Sequence, residues 1–199
     1  MAFSLLPEKL HPLAAKKLVD NIKHNNMHLT TGFFGVGFLN TILTEYGYND
    51  IAYQLLLQDT FPSWLYPIKH GNATTIWERW DGWTETKGFQ DPGMNSFNHY
   101  SLGSVGRWLY SHVAGIVSDG VGFKNIIIKP NPGQGLTNVN ASYDSIHGLI
   151  TSSWTVNKDT VDYTIMIPVN TKATIYLPGN KNKIQVGSGT WKFNAKKNF

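Results

Sequence analysis

The hydrophobic periodicity of this 199-residue chain changes once, near residues 116–122, and this change constrains the fold more than any other feature. Before it, apolar residues recur every three or four positions, which is typical of amphipathic helices. After it, apolar and polar residues alternate, which is typical of half-buried strands. The sequence therefore predicts an α+β, two-domain chain, with a helical part over 1–118 and a β part over 119–199.

Four helices are predicted in the first part. Their approximate ranges are 8–25, 34–46, 51–58 and 97–114. Gly47 is expected to cap the second helix at its carboxyl end. The stretch between the third and fourth helices, about 61–95, has no helical period. Irregular connections of that length are usually functional, so we expect a functional loop here.

Seven short strands are predicted in the second part, separated by turns rich in Asn, Gly and Pro, and this spacing is typical of an antiparallel β-sandwich. Their apolar positions fall within 126–128, 139–143, 150–156, 161–167, 173–177, 184–186 and 191–193. The alternation places three large aromatic residues, Trp154, Tyr163 and Trp191, on the buried side of these strands.

Composition narrows the classes of function. The chain is 13% aromatic and only 15% charged, which suits a protein that binds or hydrolyses carbohydrate. Its net charge of +4 comes from lysines scattered over the second part, so we expect no nucleic-acid partner. Cysteine is absent, which excludes disulfides and thiolate metal sites, and we expect neither a metal nor another cofactor. We expect no membrane span and no signal peptide, and the compartment stays open.

Tryptophans are concentrated around one acidic residue in the 61–95 stretch. Trp77, Trp80 and Trp83 all lie within five positions of Glu78. Indole faces stack on the apolar faces of sugars, and a carboxylate beside them can activate water. The pattern thus favours glycoside chemistry, although it is also compatible with a packed aromatic segment in which Glu78 is solvated or paired with Arg79.

Alternation along an extended segment would separate these side chains into two sets. Trp80 would share the side of Glu78, whereas Trp77 and Arg79 would point away from it. Trp80 is therefore the better candidate for a sugar platform, and the position of Trp83 is not determined by the pattern.

Several runs together resemble the bacterial α-L-rhamnosidases of glycoside hydrolase family 78. In the first part they are Leu29–Phe33, Asp50–Leu56, Pro62–Trp64, Thr74–Trp80 and Met94–Tyr100. Farther along the chain they are Gly103, Trp108–Tyr110, Ala114–Ile116, Ile128–Pro130 and Gly148–Trp154. The resemblance covers nearly the whole chain, in order. It implies the last helices of a six-hairpin (α/α)6 barrel followed by a C-terminal β-sandwich, from an inverting enzyme that acts on rhamnose-containing glycosides or polysaccharides.

The resemblance also implies roles for individual residues. The Glu of the family motif Thr-Thr-Ile-Trp-Glu is the general base, which is Glu78 here. The His of the family motif Met-Asn-His-Tyr contacts rhamnose, which points to His99, although Ser96 and Phe97 interrupt the motif in this sequence. Trp80 and Trp83 are further candidates for substrate binding.

The same resemblance places the catalytic acid in an earlier hairpin, upstream of residue 1. The acidic residues of the loop itself are Asp81, Glu85 and Asp91, and Asp81 is expected to organise the loop through backbone N–H groups. We therefore expect the chain alone to be inactive, and we expect an exposed barrel face to promote a homo-oligomer.

Two other functions fit the sequence. The chain could belong to another six-hairpin glycoside hydrolase that acts on a related deoxysugar or an unsaturated uronide. Alternatively, it could be a noncatalytic carbohydrate-binding fragment whose sandwich is the functional part. Exposed aromatic residues on a sandwich face would favour the last hypothesis.

Overall fold

A computed structural model describes residues 5–180 and 182–199. The chain divides into two compact units, one ending at Gly106 and the other beginning at Arg107. This division lies upstream of the predicted domain boundary between residues 118 and 119, which stays a prediction. Within the described residues, no helix has the length and apolar character needed to cross a membrane.

The first three predicted helices are confirmed, with ends shifted by a few residues. They are α1 (His11–His24, preceded by a 3-10 turn over Glu8–Leu10), α2 (Phe33–Glu45) and α3 (Asn49–Leu57). The predicted 61–95 loop contains regular structure that the sequence pattern did not predict. It forms α4 (Tyr66–Gly71), a hairpin of β1 (Trp83–Thr84) and β2 (Gly88–Phe89), and a 3-10 turn over Pro92–Met94.

The predicted fourth helix over 97–114 is shorter and less regular than expected. It begins as a 3-10 turn over Ser101–Ser104, continues as α5 (Val105–Trp108) and ends as a π-helical turn over Leu109–Val113. The N–H of Ala114 donates to the carbonyl of Leu109 at 2.8 Å. This bond joins residues five positions apart, as in a π-helix, rather than four positions apart, as in an α-helix.

Gly47 ends α2 as predicted. Its φ of +85° places it in the left-handed region, which costs glycine little. The N–H of Gly47 donates to the carbonyl of Thr44 at 3.2 Å, and the N–H of Tyr48 donates to the carbonyl of Leu43 at 2.7 Å. This pair of bonds is a Schellman motif, which satisfies two carbonyls of the last helical turn.

Helix α2 is apolar on more than one side. Val36, Leu39 and Leu43 are buried in the first unit, whereas Phe34 is 91% exposed and Phe38 is also exposed. A helix with apolar residues on more than one side is typically covered by other structure on each of those sides. The described part of the first unit covers one side only.

Two four-stranded sheets form the second unit. The first has the order β10–β7–β6–β5 and the second the order β3–β4–β8–β9. The strands are β3 (Ile116–Ser118), β4 (Asn125–Ile128), β5 (Asn138–Ser145), β6 (Gly148–Val156), β7 (Thr160–Ile167), β8 (Lys172–Ile175), β9 (Ile184–Val186) and β10 (Gly189–Lys196). All seven predicted strands are confirmed and β3 is an additional one. Neighbouring strands are antiparallel except for β4 and β8, which run parallel with Ile126 opposite Ala173.

The core of the second unit combines the inward residues of both sheets. Trp154 and Tyr163 are buried in it as predicted. The prediction for Trp191 was wrong: its side chain is 38% exposed, because β10 is an edge strand with a neighbour on one side only. Burial raises the pKa of Tyr163 to about 12.

Two side chains of β6 bind the end of the π-helical turn. The indole Nε1 of Trp154 donates to the carbonyl of Val113 at 2.8 Å, and the hydroxyl of Ser152 donates to the carbonyl of Ala114 at 2.6 Å. Both donors and acceptors are buried, so the loss of either bond would leave a desolvated polar group without a partner.

His112 makes the stability of the second unit depend on pH. Burial lowers the pKa of His112 below its ordinary value near 6.5, and the charges of Lys129 and Arg107 lower it further. His112 therefore binds a proton more readily in the unfolded chain than in the folded chain. We expect the free energy of unfolding to fall as the pH decreases below about 6.5, with a slope of at most about 1.4 kcal/mol per pH unit from this residue.

Urea unfolding at a series of pH values checks this expectation. In His112→Gln the slope between pH 5 and about 6.5 should be smaller than in the parent. An unchanged slope in His112→Gln would contradict the expectation.

Candidate active site

Two loop segments of the first unit run side by side and position Glu78. The N–H of Glu78 donates to the carbonyl of Ser96 at 2.8 Å, and the N–H of His99 donates to the carbonyl of Ile76 at 2.8 Å. These bonds resemble one rung of an antiparallel ladder. The backbone bends at residues 78 and 79 and turns at residue 80, so the extended geometry assumed for the predicted alternation of side chains is not present.

The carboxylate of Glu78 is half-buried and is held by one hydrogen bond. The N–H of Ser96 donates to Oε2 at 2.8 Å. No other residue in the described ranges forms a hydrogen bond or ion pair with the carboxylate, so Oε1 is open to a ligand or water. One oxygen is thus fixed in orientation, while the other has no hydrogen-bond partner among the described residues.

Arg79 pairs with Asp81 rather than with Glu78. Its Nε donates to Oδ1 of Asp81 at 2.9 Å and its Nη2 donates to Oδ2 at 3.0 Å. This bidentate bond raises the pKa of Arg79. The alternative in which Arg79 neutralises Glu78 was therefore wrong, and so was the expectation that the Asp81 carboxylate binds backbone N–H groups.

Glu78 and Trp80 line the same cleft, as predicted. The cleft has a volume of about 370 Å³, and its apolar walls include Leu29, Phe33, Phe61 and Pro62. A cleft of this size, mostly apolar and with a few polar groups, is typical of a small-molecule site. Arg79 and Asp81 also line it, so the prediction that Arg79 points away was wrong.

Trp80 is fixed in position by two contacts. Its Nε1 donates to the carbonyl of Thr31 at 2.8 Å, and the ring packs edge to face against Trp64 with centroids 5.7 Å apart. Trp77 is 7% exposed and packs against Phe97 with centroids 5.0 Å apart, which confirms its predicted place in the packing. A rigid indole beside an open carboxylate can bind the apolar face of a sugar.

A neighbouring cavity of about 200 Å³ shares Trp80 and Arg79 with the cleft. Its remaining lining consists of apolar and threonine side chains, among them Trp64, Ile68 and Ile76. It contains no carboxylate and therefore offers no group that could activate water.

His99 lies one ring away from the cleft. Its imidazole stacks on Phe33, a cleft residue, at 5.1 Å between centroids and on Tyr100 at 5.1 Å. The N–H of Ser101 donates to Nδ1 at 3.3 Å, which places the ring proton on Nε2. The imidazole does not line the cleft itself, so its contact with substrate stays a prediction.

Trp83 is also outside the cleft. It lies in β1 opposite Phe89, and its ring is close to the backbone of Gly71. Its predicted role in substrate binding stays a prediction.

The residues at which the sequence departs from the family motif both contact the Glu78 segment. Ser96 binds the Glu78 carboxylate through its N–H, and Phe97 packs on Trp77. The side chain of Asn95, just before them, donates to the carbonyls of Gly82 at 2.9 Å and Gln90 at 3.4 Å. Nothing in the local sequence indicated the role of Ser96, because its contact with Glu78 spans 18 positions.

Among the described residues, no group of three or more His, Cys, Asp or Glu side chains is placed to hold a metal ion. The cleft itself presents Glu78, Trp80 and the Arg79–Asp81 pair. A carboxylate with one open oxygen can accept a proton from water or from a hydroxyl group.

Comparison with known families decides the wider assignment. The model of the bacterial alpha-L-rhamnosidase 6 hairpin glycosidase domain matches residues 1–113. The chain belongs to this family. The model of the bacterial alpha-L-rhamnosidase C-terminal domain matches residues 115–192. The predicted resemblance to bacterial α-L-rhamnosidases is thus confirmed in both parts of the chain.

Individual rhamnosidases are similar over almost the whole chain. An alpha-L-rhamnosidase of Streptomyces avermitilis is 42% identical over 192 residues, which are 96% of this chain and 18% of that protein. One of Formosa agariphila is 39% identical over 92% of this chain and 20% of that protein. The crystal structure of the Streptomyces avermitilis enzyme complexed with L-rhamnose superposes with a TM-score of 0.91, covering 97% of this chain and 20% of that chain.

These similarities confirm the predicted fold class, part of a six-hairpin barrel followed by a β-sandwich. The chain spans about a fifth of the length of the rhamnosidases it matches.

Proposed function

We propose that this chain is the C-terminal segment of an inverting α-L-rhamnosidase that hydrolyses terminal α-L-rhamnosides, and that Glu78 is the general base. The observation that carries the proposal is the state of the Glu78 carboxylate. One oxygen accepts from the N–H of Ser96, and the other is open in a cleft that it shares with Trp80. Relatives named alpha-L-rhamnosidase match nearly the whole chain, and this supports rhamnose as the sugar.

In the proposed mechanism the open Oε1 of Glu78 accepts a proton from a water molecule as that water attacks the anomeric carbon. The bond from the anomeric carbon to the leaving oxygen breaks, and that oxygen takes a proton from a second carboxyl group. In inverting enzymes this second group lies about 6.5–9.5 Å from the base.

The described part of the cleft offers no such acid. Asp81 is the other carboxylate in it, and both of its oxygens accept hydrogen bonds from Arg79. A carboxylate held in this way is an acceptor and is poorly suited to protonate a leaving group. We therefore propose that the acid comes from outside this cleft.

The remaining predicted site residues complete the proposal. Trp80 forms the platform for the apolar face of rhamnose, because its ring is fixed beside Glu78. His99 donates a hydrogen bond from Nε2 to a sugar hydroxyl, and Trp83 contacts the substrate farther from the reacting bond.

The chain by itself is expected to show no turnover of p-nitrophenyl α-L-rhamnoside, because the cleft supplies a base without an acid. Release of p-nitrophenol checks this directly. Turnover that disappears in Glu78→Gln would overturn the prediction, whereas turnover that survives this substitution would identify a contaminating enzyme.

A chimera tests the proposal in a complete enzyme. In this hybrid protein, hereafter called the chimera, residues 5–199 of this chain replace the matching segment of the Streptomyces avermitilis α-L-rhamnosidase. We expect the chimera to hydrolyse p-nitrophenyl α-L-rhamnoside and to release β-L-rhamnose first, as seen by proton NMR before mutarotation. Release of α-L-rhamnose first would overturn the inverting mechanism.

We also propose that the isolated chain self-associates through α2. Phe34 and Phe38 leave an exposed apolar surface on this helix. Light scattering is expected to show a dimer or larger species for the parent and a shift toward the monomer in the double variant Phe34→Ser/Phe38→Ser. The exposed Val121 in the second unit provides a matched control, since Val121→Ser should leave the association unchanged.

A further inference from the structure

Two fully described segments of the first unit, residues 72–82 and 95–100, lie outside every helix and strand. The first segment carries Glu78 and is hereafter called the base loop. Its backbone bends at residues 74 and 75 and again at residues 78 and 79. Because no regular element fixes the direction of the Glu78 side chain, that direction depends on the hydrogen bonds between the two segments.

Side-chain hydrogen bonds join the two segments at both ends of the base loop. Near its beginning, the hydroxyl of Thr75 donates to the carbonyl of Phe97. At its end, Nδ2 of Asn95 donates to the carbonyl of Gly82 at 2.9 Å. The part of the base loop that carries Glu78 is therefore held between these two side-chain contacts.

The Phe97 carbonyl belongs to the turn that holds the Glu78 carboxylate. The N–H of Ser96 donates to Oε2 of Glu78 at 2.8 Å, and the hydroxyl of Ser96 accepts from the N–H of Asn98 at 3.2 Å. The hydroxyl bond closes a local turn, in which the direction of the Ser96 N–H is coupled to that of the Phe97 carbonyl. A bond from Thr75 to this carbonyl thus restricts the group that orients Glu78.

Thr75 itself lies outside the Glu78 cleft. It lines the neighbouring cavity of about 200 Å³, which contains no carboxylate, and it is not among the residues that line the cleft. Its side chain is exposed, so its hydroxyl can bond to water instead, and the bond to Phe97 contributes little to the stability of the fold. Its effect is local, on the turn that holds the carboxylate.

We propose that Thr75 is a positioning residue of the reaction. Through Phe97 and Ser96, its hydroxyl keeps the carboxylate of Glu78 in the direction in which Oε1 takes a proton from water. This inference rests on the proposed role of Glu78 as general base. A reacting group that is displaced by about 1 Å can lose about 10²-fold in rate, even when the change lies outside the reacting groups.

Amide hydrogen exchange in the 199-residue chain tests the link between Thr75 and Ser96 without reference to activity. Valine has nearly the shape of threonine but no hydroxyl. In Thr75→Val we expect the N–H of Ser96 to exchange about fivefold to tenfold faster than in the parent, the factor that corresponds to the loss of one hydrogen bond. Thr75→Ser keeps the hydroxyl and should keep the parent rate, as should Thr86→Val, at an exposed threonine in the turn between β1 and β2. Equal rates in the parent and Thr75→Val would overturn the proposal.

A double-mutant cycle in the chimera tests whether Thr75 acts through Glu78. We expect Thr75→Val to lower kcat for p-nitrophenyl α-L-rhamnoside by about 10-fold to 10²-fold and to change KM by less than about threefold. Thr75→Ser should keep kcat within about threefold of the parent, because the hydroxyl is retained. In the Glu78→Gln background, Thr75→Val should change kcat by less than about threefold, because no base remains to be positioned. An equal loss of kcat in both backgrounds would show that Thr75 acts independently of Glu78 and would overturn the proposal.

The kinetics also separate this inference from the proposed function. If Glu78→Gln alone leaves kcat unchanged, the assignment of the general base is wrong and the positioning role falls with it. If Glu78→Gln lowers kcat but Thr75→Val does not, the assignment of the base stands and the role of Thr75 is wrong.

Discussion

Replacing Glu78 with Gln in the chimera is expected to lower kcat for p-nitrophenyl α-L-rhamnoside by about 10²–10⁴-fold, which is the usual contribution of a positioned general base. Glutamine has nearly the same shape, and its side-chain oxygen can still accept from the N–H of Ser96. It cannot accept a proton from water. The fold and the cleft should therefore be kept, and KM should change much less than kcat.

Glu85→Gln is the matched control for this substitution. Glu85 belongs to the same loop region, but its exposed carboxylate binds Nδ1 of His70 at 3.1 Å and does not line the cleft. We expect kcat of Glu85→Gln to stay within about twofold of the parent chimera, because an exposed pair of this kind contributes little. A kcat of Glu78→Gln within tenfold of the parent would contradict the proposed role of Glu78.

Azide distinguishes a missing base from a disturbed cleft. In the chimera with Glu78→Ala, removal of the side chain leaves room for a small anion, and such an anion can attack without a general base. Azide should therefore raise the rate and form β-L-rhamnosyl azide, with the nitrophenol leaving group still protonated by the second carboxyl group. A variant whose cleft had collapsed would show no such rescue.

Local sequence signals predicted the elements that depend on neighbouring residues. Gly47 ended α2 because a left-handed residue at that position needs glycine and the Schellman bonds join residues only a few positions apart. The places of Glu78 and Trp80 in the cleft and of Trp77 in the packing were also predicted, but from an extended segment that the structure lacks. The backbone bends at residues 78 and 79 and turns at residue 80, so alternation of side chains is not the physical reason for this arrangement.

Contacts between distant residues were not available from the pattern. Arg79 is a different case, because its partner Asp81 is only two positions away: Glu78 and Asp81 both compete for its guanidinium, and the sequence does not rank the two carboxylates. The parallel pairing of β4 with β8 joins strands more than 40 positions apart, and no local signal specifies it. Trp191 follows the alternation of a buried residue, but its exposure depends on the edge position of β10 in the sheet.

The irregular end of the predicted fourth helix has a physical cause in the second unit. The carbonyls of Val113 and Ala114 accept hydrogen bonds from Trp154 and Ser152, two side chains of β6. Those bonds replace the partners that a continued helix would have provided, so the chain can leave the helix at Gly115. The periodicity of 97–114 could not reveal this, because the donors lie about 40 positions away.

Gly115→Ala is expected to destabilise the second unit severely, costing more than about 4 kcal/mol or preventing folding. Gly115 has a φ of +77°, and a Cβ there would lie 2.2 Å from the backbone carbon of Lys129 and the backbone nitrogen of Pro130. The N–H of Lys129 also donates to the carbonyl of Gly115 at 2.8 Å, so the two segments cannot separate without breaking that bond. Chemical denaturation measures the resulting change in the free energy of unfolding.

Gly120→Ala separates the steric contribution from the backbone contribution. Gly120 has a φ of +89°, but a Cβ at this position would meet no other atom within 4 Å. Its replacement should therefore cost about 1–2 kcal/mol from the backbone conformation alone. The difference between the two variants measures how rigidly the backbone around Lys129 is held against Gly115. Similar unfolding free energies for both would show that this backbone moves aside easily, and the prediction for Gly115→Ala would then be wrong.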